Sequence, residues 1–196
     1  MTATTLFVVR HGRTALNAEG RLRGHLDVPL DAVGQQEAAR LGELFAAVPL
    51  AIVVTSPLVR AKSTGETIAA AAQTCCAVDD RLIDRDYGTF RGETRESIEA
   101  RFGSVDAAPG VEPIAALQAR AVAAVEEVVD ASAGRPCLLV AHDALNRVLV
   151  SALVPEVGNP DHLAQPTGCW NELRRDRSWS AVVIGASAGD GHLPTR

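Results

Sequence analysis

The chain has almost no lysine and few aromatic side chains. Lys62 is the only lysine, so arginine carries nearly all of the positive charge, and Phe, Trp and Tyr together make up 4% of the 196 residues. Acidic residues outnumber basic ones by 24 to 19, which gives a formal net charge of -5. No stretch combines clustered basic residues with interleaved aromatics, the pattern typical of nucleic-acid-binding surfaces. The composition therefore predicts that nucleic acid is not a partner.

The sequence also lacks the motifs of metal sites and of P-loop nucleotide sites, and the long apolar run of a membrane helix. The four cysteines follow neither a CxxC nor a zinc-ribbon spacing, and no HExxH sequence occurs, so we expect no metal site. The absence of a GxxxxGK[ST] loop argues against a P-loop nucleotide triphosphatase. No apolar run reaches the roughly 20 residues of a membrane helix, and the N-terminus lacks the basic region of a signal peptide. We therefore expect a cytoplasmic protein with reduced cysteines and no membrane partner.

Strand and helix patterns alternate along a single predicted domain, residues 1–185. Apolar runs predict strands at residues 5–10, 51–54, 75–78 and 137–141, and two edge strands at 169–174 and 179–185 around a turn. Helical patterns occupy residues 31–47 (after an Asp31 N-cap), 57–73, 112–132 and 143–153. This order predicts an α/β fold, a three-layer α/β/α sandwich with a mostly parallel sheet and an antiparallel edge pair. Residues 93–111 are expected to form a small cap or loop, and residues 186–196 a flexible tail.

The first apolar run is followed at once by Arg10-His11-Gly12-Arg13-Thr14. A histidine between two arginines at a strand end is poorly placed for packing and well placed for phosphate. Neutral imidazole is a nucleophile near neutral pH, and guanidinium groups match phosphate oxygens in a planar, bidentate way. Gly12 lets the backbone approach an anion closely, and Thr14 could cap a following helix. A motif this short could also arise by chance, so other segments must support it.

Two further strand ends carry similar side chains. Residues 55–61 follow a buried strand and open a helix, which places Arg60 one turn into that helix. His142 follows the apolar run 138–141. Ligands of α/β sheets bind in the crevice beyond the carboxyl ends of the strands, so we expect Arg60 and both histidines, His11 and His142, to face one crevice. There His142 could donate hydrogen bonds to a phosphoryl group.

Taken together, these segments resemble the histidine phosphatase superfamily, in its single-domain, phosphoglycerate mutase-like branch. The resemblance extends from about residue 5 to 185 and is carried, in the family's order, by residues 10–14, Asn17, 23–30, 56–61 and His142. It implies that His11 attacks phosphorus and carries the phosphoryl group, that Arg10, Arg60 and His142 bind its oxygens, and that Asn17 adds a hydrogen bond. It also implies that no metal or other cofactor is needed, because the arginines supply the charge that magnesium supplies elsewhere.

Three more positions are expected to bind substrate: Arg23, Gly24 and Asp143. Arg23 stands where relatives often carry glutamine or serine beside the glycine. It could equally be a solvated surface arginine. Asp143 directly follows His142, where many relatives have glycine.

The general acid is where the chain departs from the family pattern. Relatives carry glutamate at the position of Asp84, and Arg91 replaces a second acidic residue. The acid would protonate the leaving oxygen and then activate water. Asp143 is the alternative, because phytase-like acid phosphatases of the superfamily use a His-Asp pair, although Asp143 could instead cap the helix that begins there. We favour Asp84, since its surroundings match the single-domain branch.

The resemblance leaves hydrolysis, transfer and binding open. Residues 93–111 are shorter than the insertions of the family's mutases, which predicts an open site that water reaches. This favours a phosphomonoesterase, an acid phosphatase acting on small phosphorylated metabolites, over a mutase. A phospho-ligand-binding protein without turnover would explain the changes at Asp84 and Arg91, although such a protein has no need of His11. The physiological substrate is not encoded in a recognisable motif, and unpaired edge strands would allow a homodimer.

Overall fold

The structure, a computed structural model, describes residues 3–195. Six strands form one sheet: β1 (Thr4–Arg10), β2 (Ile52–Thr55), β3 (Cys76–Val78), β4 (Cys137–Ala141), β5 (Cys169–Arg175) and β6 (Trp179–Ser187). The helices are α1 (Ala15–Ala18), α2 (Ala32–Phe45), α3 (Val59–Ala71), α4 (Arg95–Phe102), α5 (Ile114–Ala131) and α6 (Asp143–Leu153). Within this range, no helix combines the length and the apolar character needed to cross a bilayer.

The strand order is β3-β2-β4-β1-β5-β6. Strands β3, β2, β4 and β1 are mutually parallel, whereas β5 and β6 are antiparallel additions at one edge. The predicted mostly parallel sheet with an antiparallel edge pair is therefore confirmed. In the register of the central pair, Arg10 lies opposite Ala141. The residues that follow, His11 and His142, consequently leave the same edge of the sheet side by side.

Two hydrophobic cores lie on opposite faces of the sheet. Leu6 and Val8 of β1 pack in one core with α5 and α6, and Phe7 and Val9 pack in the other with α2 and α3. Successive residues of a strand point to opposite faces, so the uninterrupted apolar run of β1 supplies both cores. This arrangement confirms the predicted three-layer α/β/α sandwich.

Regular structure also occurs where none was predicted. Within the 93–111 region, α4 begins at a Thr94 side-chain cap and buries only Ile98, so it lacks the apolar stripe that marks a helix in a sequence. This region shares a small core of its own with the preceding segment, in which Ile98 packs with Tyr87 and Phe90. At the C-terminal end, β6 continues through Ser187, two residues beyond the predicted domain boundary at residue 185. Beyond β6 the chain also contacts β5, because Thr195 N donates to Glu172 Oε2 at 3.1 Å.

Helix α2 begins in direct backbone contact with the loop that carries His11. The predicted Asp31 cap is confirmed, since its Oδ1 accepts from Val33 N and Gly34 N, each at 2.9 Å. A Cβ on Gly34 would lie 2.0 Å from the Arg13 carbonyl oxygen, and a Cβ on Gly12 would lie 2.4 Å from the Gly34 carbonyl oxygen. Only glycine fits at either position, so this contact fixes where the loop can lie.

We expect Gly34→Ala to destabilise the fold by about 1–3 kcal/mol, because the added methyl group would overlap backbone that cannot turn aside. Gly42→Ala is the matched control on the same helix. Its Cβ would meet only ordinary contacts of 3.4 Å or more, and alanine is the better helix former by up to about 1 kcal/mol. Urea unfolding of both variants tests this, and equal midpoints would contradict the close-contact explanation.

Candidate active site

The two histidines predicted to share a crevice lie next to each other. The rings of His11 and His142 are 5.1 Å apart between centroids, and both side chains are fully buried. His11 Nδ1–H donates to the carbonyl oxygen of Gly12 at 2.6 Å. That hydrogen bond leaves the lone pair on Nε2, which accepts a 3.2 Å hydrogen bond from Arg60 Nε. The ring is therefore held in the tautomer whose Nε2 can attack an electrophile.

Both imidazoles are held in the neutral form. Burial, reinforced by the positive charges of Arg60, Arg10 and Arg23, lowers the pKa of His11 well below its usual value of 6.5. Burial and Arg60 likewise lower the pKa of His142. A lower pKa means that the proton is lost at a more acidic pH, so Nε2 of His11 stays unprotonated, and nucleophilic, at neutral pH.

A hydroxyl group orients His142. Leu58 N–H donates to Ser56 Oγ at 3.3 Å, which leaves the hydroxyl proton free for His142 Nε2, 2.8 Å away. When Ser56 donates this hydrogen bond, Nδ1 carries the ring proton, and Nδ1 is buried without a hydrogen-bond partner. Because an unpaired buried donor is costly, this N–H group is suited to an anionic ligand.

The site arginines lie at the same crevice. Arg60 is fully buried and donates through its terminal nitrogens to the carbonyl oxygens of Leu26 at 2.8 Å and Gly24 at 2.9 Å. Arg10 donates to the Gln165 carbonyl oxygen. Arg23 is only 8% exposed, so the alternative that it is a solvated surface arginine is wrong. These cations give an anion several donors at once.

Two of these arginines have a buried N–H group without a hydrogen-bond partner. Nε of Arg10 and Nε of Arg23 are both buried without a hydrogen-bond partner. Arg23 uses Nη1 to bind the Arg21 carbonyl oxygen at 3.0 Å. Together with Nδ1–H of His142, the crevice therefore offers unpaired N–H groups from three side chains, as a phosphate site requires.

Asp84 is the carboxylate closest to this cluster. It is 3% exposed, and its Oδ2 accepts from Arg60 Nη2 at 3.2 Å and lies 3.9 Å from His142 Nδ1. Its Oδ1 accepts from the Arg85 backbone N–H at 2.9 Å. Arg91, the other departure from the family pattern, forms a bidentate pair with Asp86.

Asp143 lies further out. Its Oδ1 accepts from Arg147 Nε at 2.6 Å, one turn along α6, and lies 3.9 Å from Arg10 Nη1. The N-cap of α6 is His142, with no side-chain cap hydrogen bond. The alternative that Asp143 caps this helix is therefore wrong, because Asp143 already lies in its first turn and pairs with an arginine.

The remaining predicted residues, Asn17 and Gly24, contact the loops on either side of α1. Asn17 Oδ1 accepts from Thr14 N at 3.0 Å and Thr14 Oγ1 at 2.8 Å, which completes the predicted Thr14 cap of α1. Its amide nitrogen is not used in this capping box. Gly24 adopts a positive φ of 48°, and a Cβ there would lie 3.0 Å from the Arg85 carbonyl oxygen. This glycine therefore lets residues 23–26 lie against Arg60.

The side chains at the centre of the cluster are covered. His11, Arg60 and His142 have no exposed surface. The carbonyl groups of Gly24 and Leu26 lie against the Arg60 guanidinium group, whereas residues 93–111 pack mainly into their own small core. The loop after α1, rather than residues 93–111, therefore covers the Arg60 guanidinium group.

Sequence reasoning missed supporting residues. Thr64 Oγ1 accepts from Gly12 N at 3.1 Å and donates to the Arg60 carbonyl oxygen at 2.8 Å, so it ties the His11 loop to α3. Gln165 holds Arg10 through a backbone oxygen, a contact that leaves no side-chain pattern. Across residues 3–195, no group of three or more His, Cys, Asp or Glu side chains is arranged to hold a metal ion.

Comparisons with known proteins agree with this geometry. A model of the histidine phosphatase superfamily (branch 1) matches residues 6–184. The protein named uncharacterized phosphatase PhoE from Bacillus subtilis (strain 168) is 32% identical over 164 residues, which is 84% of this chain and 82% of that protein. A probable phosphoglycerate mutase, GpmB from Salmonella choleraesuis, is 32% identical over 159 residues, covering 76% of this chain and 74% of GpmB.

A solved structure shares both the fold and detectable sequence. The native structure of a mycobacterial glucosyl-3-phosphoglycerate phosphatase superposes with a TM-score of 0.84 at 27% identity, and the match covers 94% of this chain and 100% of that one. The shared architecture therefore includes the central sheet and both helical layers.

Because burial lowers the pKa of His11 and of His142 well below the usual value of 6.5, we expect both rings to stay neutral at a pH where an ordinary histidine takes up its proton. Histidine ring resonances in 15N NMR spectra, assigned by single substitution, test this, and the exposed His162 and His192 supply reference signals in the same spectrum. Arg23→Gln removes one of the charges that lower the pKa of His11 and should move its titration to higher pH. A His11 midpoint near 6.5 in the wild type would contradict the burial argument.

Proposed function

Since this chain belongs to the histidine phosphatase superfamily (branch 1), we propose that it is a phosphomonoesterase that hydrolyses small phosphorylated metabolites through a phosphohistidine at His11. One observation carries the proposal. A buried, neutral imidazole has its Nδ1 proton bound to Gly12, and its unprotonated Nε2 accepts a hydrogen bond from Arg60. A protein that only binds phosphate gains nothing from a nucleophile held in this way.

In the first step the phosphoryl group is bound by Arg10, Arg60, His142 and Asn17. Arg60 Nε moves from His11 Nε2 to a phosphoryl oxygen, which frees the lone pair. Nε2 attacks phosphorus in line, the P–N bond forms, and the bond to the ester oxygen breaks. Protonated Asp84 gives its proton to the departing oxygen, so the product leaves as a neutral alcohol.

In the second step water replaces the alcohol. Asp84, now a carboxylate, takes a proton from the water as its oxygen attacks phosphorus. The P–N bond breaks, inorganic phosphate leaves, and His11 regains its lone pair on Nε2. The arginines bind the charge of the transferring group throughout, which is why we propose that no metal ion takes part.

Asp84 is favoured over Asp143 as the acid by its position. Asp84 contacts Arg60 and lies 3.9 Å from His142 Nδ1, so it faces the phosphoryl site. Asp143 is engaged with Arg147 at 2.6 Å and contacts the site only through Arg10. We assign Asp143 the role of orienting Arg10 for the substrate.

Relatives support both hydrolysis and transfer. The names of PhoE and of the mycobacterial enzyme are those of phosphatases, and these favour hydrolysis. The 32% identity with a probable phosphoglycerate mutase makes transfer the second candidate. The product distinguishes the two, because a phosphatase transfers the phosphoryl group to water and releases inorganic phosphate, whereas a mutase transfers that group to a second hydroxyl group.

We expect a rapid quench of the wild type into alkaline denaturant during turnover of p-nitrophenyl phosphate to yield a phosphoenzyme. Its phosphoryl group should be labile to acid and stable to base, as expected of a phosphoramidate. His11→Ala should abolish both adduct and turnover while keeping the fold. His162→Ala, which changes an exposed histidine, is the matched control. EDTA should leave the turnover of the wild type and of His162→Ala unchanged. Folded wild type with neither adduct nor turnover would instead favour a phospho-ligand-binding protein.

The effect of removing the general acid on kcat/KM should depend on the leaving group. For an alkyl phosphate such as glycerol 2-phosphate, Asp84→Asn should lower kcat/KM by about 10²–10⁴-fold, the usual contribution of a general acid. For p-nitrophenyl phosphate, whose leaving group needs no proton, the loss should be far smaller. Asp143→Asn is the comparison, and it should raise KM for both substrates alike. The opposite pattern for the two aspartates would assign the acid role to Asp143.

A further inference from the structure

Carbonyl groups on the N-terminal side of Asp84, together with its own carbonyl, converge on one guanidinium group outside the catalytic cluster. Arg120 lies on α5 and donates through Nη1 to the carbonyl oxygens of Arg81 at 2.7 Å and Ile83 at 2.6 Å. Its Nη2 donates to the carbonyl oxygen of Asp84 itself at 3.0 Å. The contacts are to backbone, so they fix the path of the chain rather than a side chain.

Glu112 fixes Arg120 in turn. Its carboxylate accepts from Arg120 Nε at 2.8 Å and from Nη2 at 2.9 Å. A guanidinium group has five N–H donors, and these two bonds with the three to carbonyl groups use all of them. Arg120 thus has no donor left for substrate.

The same glutamate also holds the chain on the other side of the acid. Glu112 Oε2 accepts from Asp86 N at 3.1 Å, and Glu112 N donates to the Asp86 carbonyl oxygen at 2.8 Å. Arg85 Nε donates to the Glu112 carbonyl oxygen at 2.9 Å. The segment 81–86 is therefore bound on both sides of Asp84 by one Arg120–Glu112 pair.

We propose that Arg120, held by Glu112, is the positioning residue for the general acid. The proposal rests on the assignment of Asp84 as that acid. Residues 83–87 belong to no strand or helix, so no backbone ladder holds the acid in place. Aspartate has a single methylene group, and any displacement of its backbone passes almost directly to the carboxylate. An arginine that binds the backbone at residues 81, 83 and 84 supplies the rigidity that the local structure lacks.

Misplacing a catalytic group by about 1 Å can cost about 10²-fold in rate. Removing Arg120 should therefore act through the acid and share its dependence on the leaving group. We expect Arg120→Met, which keeps the aliphatic packing of the side chain, to lower kcat/KM for glycerol 2-phosphate by about 10- to 100-fold. For p-nitrophenyl phosphate the loss should stay within about threefold, because that leaving group departs without a proton. Using kcat/KM confines the comparison to steps up to release of the alcohol.

A double-variant cycle separates positioning from general damage. With Asp84→Asn in place, the further change Arg120→Met should cost glycerol 2-phosphate turnover almost nothing, since no acid remains to be positioned. Arg135→Met is the matched control. Arg135 also binds a backbone carbonyl, that of Leu50 at 3.0 Å, but away from the site, and its loss should not change the ratio of the two substrates.

The outcomes are distinct. Equal losses for both substrates, or additive losses in the double variant, would overturn the positioning role while leaving Asp84 as the acid. If Asp84→Asn itself shows no dependence on the leaving group, the acid assignment fails, and the role of Arg120 fails with it. Should Arg120→Met not fold by circular dichroism, Glu112→Gln decides. This variant keeps the shape of the pair but removes the carboxylate charge that binds the guanidinium group. It should show the same selective loss of kcat/KM for glycerol 2-phosphate, with a smaller magnitude.

Discussion

The parallel pairing of β1 with β4 is the constraint on which the site depends. Arg10 and Ala141 are opposite each other in this pair, so the next residues, His11 and His142, leave the sheet together with ring centroids 5.1 Å apart. The pairing lies at the centre of the sheet, with a hydrophobic core on each face. Because a shift by one residue would turn the apolar side chains of a strand to the wrong face, the two cores also fix the relative position of the two histidines.

Burial then sets the chemistry of these rings. In water a histidine is partly protonated near neutral pH, whereas His11 and His142 are enclosed among arginines and remain neutral. Burial also has a free-energy cost for the charged arginines, because it lowers the pKa of Arg10 and of Arg60. Asp84 offsets part of it by pairing with Arg60. Buried donors left unpaired in the free protein represent free energy that an anionic ligand can recover on binding.

The shorter acid is matched by its surroundings. An aspartate reaches less far than a glutamate, yet Asp84 contacts Arg60 at 3.2 Å. The chain around it is bound by Arg120 and Glu112, and His25 Nε2 shares a hydrogen bond with the Asp84 carbonyl oxygen at 3.0 Å. The departure from the family pattern at this position therefore does not remove the carboxylate from the site. This position of the carboxylate is compatible with both hydrolysis and phosphoryl transfer.

The sequence by itself determined most of the order of strands and helices, and it placed His11 and His142 directly after two buried strands. Apolar runs such as 6–9 and 138–141 have to be buried, and histidines directly after them have to lie at the sheet edge. Helix α4 was not predicted, because it is short and buries little, which leaves no apolar period to read. Helix α1 was indicated only by its Thr14 cap. Only the tertiary structure decided that the carbonyl groups of Gly24 and Leu26 cover Arg60, that Gly12 packs against Gly34, and that Arg120 binds the backbone around Asp84. These contacts join residues far apart in the chain and mostly use backbone atoms, which every residue has and which no sequence pattern distinguishes.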